Sequence, residues 1–163
     1  MFGYFTKDHL NEVLPQDPVT KKGGLYIGDW NSADDVQTLV QKQINFVLSA
    51  LPESIARKPE YPKHGITQMI VSAEDMASFD MRPFFEQAFE FISQGLKNGN
   101  VLVHCAAGIS RSSTLTLVYL MRVRHEGFNQ SLAFLRTKRP ICTPNHGFTV
   151  QLKEYAKKHG LPE

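Results

Sequence analysis

VLVHCAAGISRSSTLTLVYLMRV, residues 101–123, sets a cysteine and an arginine between two apolar segments. Val101–Val103 reads as a short buried strand. Ser112 to Val123 is apolar nearly all round, which predicts a helix buried in the middle of the domain. HCAAGISRS, residues 104–112, then becomes a loop at the carboxyl end of a strand, where open α/β sheets place their ligands.

Such a loop is built to hold an anion. The helix starting near Ser112 points free N–H groups and its positive dipole end back at the loop. Ala106, Ala107, Gly108, Ile109 and Ser110 carry no charge and are mostly small, so their backbone amides can converge on one anion. Arg111 adds a planar fork that matches two oxygens of a phosphate. Five residues separate Cys105 from Arg111, enough chain to wrap once around a phosphate. A helix N-terminus and a nearby guanidinium also lower a thiol pKa below its usual ~8.5, which predicts Cys105 as a nucleophile rather than a packed thiol.

Outward from this stretch, Leu25–Gly28, Ile44–Leu48 and Gln68–Val71 read as further strands. Ser32 to Asp35 resembles a capping box, with Val36, Leu39 and Val40 at helical spacing after it. Pro52 to Lys63 holds three prolines and is expected to be a loop. A helix is expected after Asp80, with Pro83 in its first turn and Phe85, Ala88, Phe89, Ile92 and Leu96 on one face. A short helix over Gln130–Thr137 and a last amphipathic one marked by Phe148, Leu152, Tyr155 and Ala156 complete the pattern. Strands alternating with helices predict an α/β fold: a central mixed, mostly parallel sheet of about five strands with helices on both faces. Residues 1–163 are expected to form a single domain, with residues 1–20 as a loosely docked arm.

The chain has 163 residues, 42% hydrophobic and 21% charged, with a net charge of +2. That charge is too small to make nucleic acid or an anionic membrane the expected partner. No stretch approaches the ~20 apolar residues of a membrane span, and the N-terminus has neither a signal-peptide apolar core nor a myristoylation pattern. Two cysteines cannot make a disulfide framework, so a reducing compartment is expected, the cytoplasm or equally the nucleus. The six histidines show no metal-ligand spacing, and no metal or cofactor is expected. Glu74 and Asp75 are equal candidates for a general acid some thirty residues before the cysteine. Arg136, Lys138 and Arg139 form a basic cluster. Cys142 reads either as a packed thiol or as a trap for oxidised Cys105.

HCAAGISRS resembles the signature loop of cysteine-dependent protein phosphatases, in the form used by dual-specificity phosphatases. The likeness extends from about Gly24 to Tyr155. Leu25-Tyr-Ile-Gly28 resembles the family's first strand, Ala73-Glu-Asp75 with Phe79 its acid-bearing loop, and Arg139-Pro140, Pro144-Asn-His-Gly-Phe148 and Gln151-Leu152 its C-terminal element. The resemblance implies that Cys105 is the nucleophile, Arg111 the phosphate clamp and Ser112 the hydroxyl that helps the thiolate leave. It implies that residues 106–111 bind the phosphate and that His104 holds the cysteine. Asn145 would brace the loop, Asp75 rather than Glu74 would be the general acid, and Arg139 would flank the pocket as a secondary anion site. Within this resemblance, the uncharged loop positions and the absence of long recognition insertions imply action on phosphotyrosine and phosphoserine or phosphothreonine in proteins. The lack of a kinase-docking domain implies an atypical, stand-alone member; the oligomeric state is open, with a monomer as the default. A non-protein phosphoester (lipid, glycan or RNA 5′ end) is the alternative.

Overall fold

The computed structural model describes residues 8–163. Its elements are β1 (Leu10–Leu14), β2 (Leu25–Gly28), α1 (Trp30–Asp34), α2 (Val36–Gln41), β3 (Ile44–Ala50), α3 (Glu53–Ala56) and β4 (Thr67–Val71). They continue with α4 (Phe85–Asn98), β5 (Asn100–His104), α5 (Arg111–Arg124), α6 (Phe128–Lys138) and α7 (His146–Lys158), and short 3₁₀ turns lie at Tyr61–His64 and Arg82–Phe84.

The sheet has five strands in the order β1-β2-β5-β3-β4. Only β1 runs antiparallel. The central strand β5 is buried along its whole length, as expected when both sheet faces are covered. Alternation along the strands divides the core between these faces. Val101, Val103, Leu48 and Ala50 join a large cluster with residues of α4, α5, α6 and α7. Leu102 and Val47 point the other way, into a smaller cluster with Leu39, Ile44, Tyr61 and Ile66. Helix α5 lies across the large face, and every residue from Ser112 to Met121 is buried. The mixed, mostly parallel sheet with helices on both faces is therefore present as expected.

Residues 10–14 depart from the expected loose arm. Leu10–Leu14 pairs with β2, Val13 is wholly buried, and a bridge joins Asp17 to Lys22. LNEVL lacks the run of β-branched and aromatic residues that marks a strand, and its partner is non-local, so the pairing is made by tertiary contact rather than local preference. Residues 1–7 of that expected arm lie outside the described residues.

Local capping differs as well. Asp29, not Ser32, caps α1 by accepting from the Ser32 N–H, and Asp35 caps α2 by accepting from the Thr38 N–H. The expected Pro52–Lys63 loop contains α3 and a 3₁₀ turn. Asp80 does not cap α4; its carboxylate is taken by the Arg82 backbone and guanidinium.

Candidate active site

The loop between β5 and α5 is turned inside out relative to an ordinary loop: its carbonyls face the protein. The Cys105 carbonyl accepts from His104 Nδ1 at 3.2 Å and the Ala106 carbonyl from the Trp30 N–H at 3.0 Å. The Ala107 and Gly108 carbonyls accept from Arg139 Nη2 at 3.2 Å and Nε at 2.9 Å. The Ile109 carbonyl accepts from the Thr143 N–H at 2.7 Å and from Ser113 Oγ at 2.5 Å. The Ser110 carbonyl accepts from the Thr114 N–H and from Thr114 Oγ1. With every carbonyl from Cys105 to Ser110 drawn outward, the amides are left facing the hollow of the loop. No side chain caps α5, so its first-turn N–H groups are also open.

Gly108 is what lets the loop close. Its φ is +69°, and a Cβ there would lie 2.7 Å from Arg139 Nη2 and 2.8 Å from the Gly28 carbonyl oxygen.

Arg111 extends over the site from the start of α5. Nη1 donates to the Ala73 carbonyl at 3.0 Å, while the buried Nε has no partner among the described residues. Holding Nη1 leaves the Nε/Nη2 edge, the fork that suits two oxygens of an anion, without a protein partner among the described residues. Inside the loop, Cys105 Sγ lies 3.2 Å from Ser112 Oγ, and Cys105 is 2% exposed.

His104 is wholly buried and desolvation depresses its pKa to about 4, so the imidazole is neutral at physiological pH. A polar relay fixes its tautomer. Gln68 Nε2 donates to the Ala56 carbonyl and to Ser49 Oγ. That leaves the Ser49 hydroxyl proton for His104 Nε2, 2.6 Å away, and the Nδ1 proton for the Cys105 carbonyl. Ser49 and His104 are cross-strand neighbours in the β3–β5 register. Neither Ser49 nor Gln68 is legible as a site residue in sequence, because nothing in the strand stretches VLSA (47–50) or TQM (67–69) marks a polar partner for a distant histidine.

The acid-bearing segment between β4 and α4 is held by α7. Asn145 Nδ2 donates to Asp75 Oδ1 at 3.0 Å, while Asn145 Oδ1 accepts from the Phe148 N–H and caps α7. Gln151 bonds both the Phe79 carbonyl and the Met81 N–H. Gly147 permits the close approach, since a Cβ there would lie 1.9 Å from the Ala77 carbonyl oxygen. Glu74 is exposed and none of these tethers reaches it. The expected bracing of the phosphate loop by Asn145 is thus made by its backbone N–H, which donates to Ser110 Oγ at 2.9 Å, while its side chain serves Asp75.

Arg139 overturns its expected place as a secondary anion site. It is 2% exposed, and its guanidinium is spent on the Gly108, Ala107 and Asp8 carbonyls and on Asn11 Oδ1. It braces the phosphate loop from behind, tying it to the β1 region. Of the same basic cluster, Arg136 bonds the Cys142 carbonyl and Thr143 Oγ1. The Cys142 thiol is buried and burial pushes it up to about 11, which keeps it protonated and fits the packed reading.

The comparisons with known proteins agree with this geometry. A family model described as "Dual specificity phosphatase, catalytic domain" matches residues 25–158. MAP kinase phosphatase with leucine-rich repeats protein 3 of Dictyostelium discoideum is 39% identical over 91% of this chain and 16% of its own length. Dual specificity protein phosphatase 15 of Mus musculus is 36% identical over 90% of this chain and 57% of its own length. The chain therefore spans only part of both curated relatives. The crystal structure of DUSP15 superposes with a TM-score of 0.77 at 32% identity, covering 90% of this chain and 86% of that one.

Proposed function

The chain belongs to the dual specificity phosphatase catalytic-domain family, and on that premise we propose that it removes phosphate from phosphotyrosine and from phosphoserine or phosphothreonine in proteins. The observation that carries this reading is the outward bonding of every carbonyl from Cys105 to Ser110 beside the unpartnered Nε of Arg111. Together they make a cradle for the three non-bridging oxygens of a phosphoryl group, and its charge stabilisation comes from amides and one guanidinium without a metal.

In the first step the Cys105 thiolate attacks phosphorus. The S–P bond forms, the bond to the leaving oxygen breaks, and Asp75 gives that oxygen its proton. In the second step Asp75, now a carboxylate, takes a proton from water as the water oxygen attacks phosphorus. The S–P bond breaks, orthophosphate leaves, and Ser112 Oγ–H donates to the departing sulfur from 3.2 Å. Asn145 keeps the Asp75 carboxyl in place through both steps. Ala106, Ala107, Ile109 and Ser110 bring no charge to the cradle, which suits a singly phosphorylated side chain over a polyphosphorylated lipid headgroup. Among the described residues no helix is long and apolar enough to cross a membrane. Two free thiols accord with the reducing cytoplasm or nucleus.

Cys105→Ser should lower turnover of an aryl phosphate by at least about 10³-fold while phosphate still binds. Normal turnover by that variant would rule out the covalent route. Asp75→Ala, used as a trap in a lysate, should retain phosphoproteins; retention of lipid or RNA alone would overturn the protein-substrate reading.

A further inference from the structure

The large apolar side chains left in water are not scattered at random. Among the described residues, Trp30 is 42% exposed, Ile55 49%, Met76 52% and Ile109 37%; the other large hydrophobics so exposed are all valines. These four follow β2, β3, β4 and β5 in turn, one per strand, on the segments at the carboxyl edge of the parallel sheet. The same edge carries the phosphate loop.

These segments are joined to one another and to the loop. The Trp30 N–H bonds the Ala106 carbonyl at 3.0 Å, the Glu53 N–H bonds Ser72 Oγ at 3.2 Å, and Arg111 bonds the Ala73 carbonyl. These segments border the loop, so the residues beside a phosphorylated one in the cradle have this apolar edge within reach.

Charge narrows the occupant further. The segments 29–35, 51–60 and 72–80 hold eight carboxylates and only two cations, Arg57 and Lys58. Both cations are already paired, Arg57 with Glu53 at 2.8 Å and Lys58 with Asp34. Arg139, expected to meet a second anion, is buried behind the loop. The rim thus offers an acidic or second phosphorylated neighbour no unpaired cation among the described residues, and offers an apolar neighbour surface to bury. The carboxylates are largely exposed, so their pull on a basic neighbour is weakened by solvent.

Building on the protein-phosphatase reading, we infer that the preferred substrate is a singly phosphorylated protein segment whose residues beside the phosphorylated one are apolar, docked on the rim formed by Trp30, Ile55, Met76 and Ile109.

The test uses three phosphotyrosine peptides that differ only at the −1, +1 and +2 positions, filled with Leu, Glu or Lys, beside an aryl phosphate as control. The Leu peptide should exceed the Glu peptide by about tenfold in kcat/KM and the Lys peptide by a smaller factor, the difference lying mainly in KM. In the double variant Ile55→Ser, Met76→Ser the preference should shrink to about twofold while aryl phosphate turnover stays at its original level. Equal or better turnover of the Glu or Lys peptide overturns the inference and leaves the protein-phosphatase reading standing, as does a preference that survives the double variant. Turnover of the aryl phosphate with none of the peptides overturns both.

Discussion

Two loops meet at the carboxyl edge of the sheet, and they are held in opposite ways. The phosphate loop is fastened carbonyl by carbonyl, six in succession, to His104, Trp30, Arg139, Thr143, Ser113 and Thr114. The acid-bearing loop stands in solvent around Glu74 and Asp75 and hangs from a few tethers, chiefly Asn145, Gln151 and the Arg111 bond to Ala73. The difference follows from the chemistry each must serve. An anion cradle works by being preorganised, since amides that had to reorient would spend the binding energy they supply. A proton donor needs only one carboxyl at one distance, and it must release product afterwards. Damage to the first loop should accordingly be severe and indifferent to substrate, and damage to the second graded and dependent on the leaving group.

The largest effect is expected at Gly108. Gly108→Ala demands a left-handed φ from alanine and drives a Cβ against Arg139 and the Gly28 carbonyl. It should lower kcat/KM by at least about 100-fold for aryl and alkyl phosphates alike, read by steady-state kinetics on both. A loss confined to one class of substrate would break the contrast between the loops.

His104 tests the same loop through pH. Its pKa falls from 6.5 to about 4 on folding because burial disfavours the charged imidazole. Below pH 6.5 the unfolded chain takes up a proton that the folded chain refuses. This contribution to stability is therefore intact above about pH 6.5 and declines as the pH falls toward 4, by about 3 kcal/mol in all. Urea unfolding at pH 7 and pH 4.5 should show this decline, and His104→Asn should remove that part of it. Parallel pH dependence in the two proteins would mean that the imidazole is not held neutral by the fold.

The smallest effect is expected in the acid loop. Asn145→Ser keeps a capping oxygen for α7 but is too short to reach Asp75. It should slow a phosphoserine peptide by about tenfold and leave an aryl phosphate with a good leaving group nearly unchanged. A uniform loss for both would argue that Asn145 matters through the Ser110 contact instead of through Asp75.

Legibility followed the same division. The strand–loop–helix of residues 101–123 is local, its apolar spans and small loop residues adjacent in sequence, so its fold and its anion chemistry could be read from the order of side chains. The acid could not: Glu74 and Asp75 are equivalent until α7 swings Asn145, 70 positions away, onto one of them. Ser49 and Gln68 were invisible for a related reason, because a polar residue in a strand gains its meaning only from the strand beside it. Arg139 was expected beside the pocket as a secondary anion site, whereas four acceptors supplied by distant backbone and Asn11 make its burial behind the loop tolerable.

From residue types and spacing alone, this chain specifies an α/β sheet with a cysteine and an arginine around an anion, since hydrophobic period and small-residue loops act over short range. Tertiary structure alone decides which carboxyl Asn145 holds, which arginine braces the phosphate loop from behind, and which apolar side chains stay exposed at the carboxyl edge of the sheet. Those outcomes depend on groups far apart in sequence being brought within hydrogen-bonding or van der Waals distance, and no local preference encodes that distance.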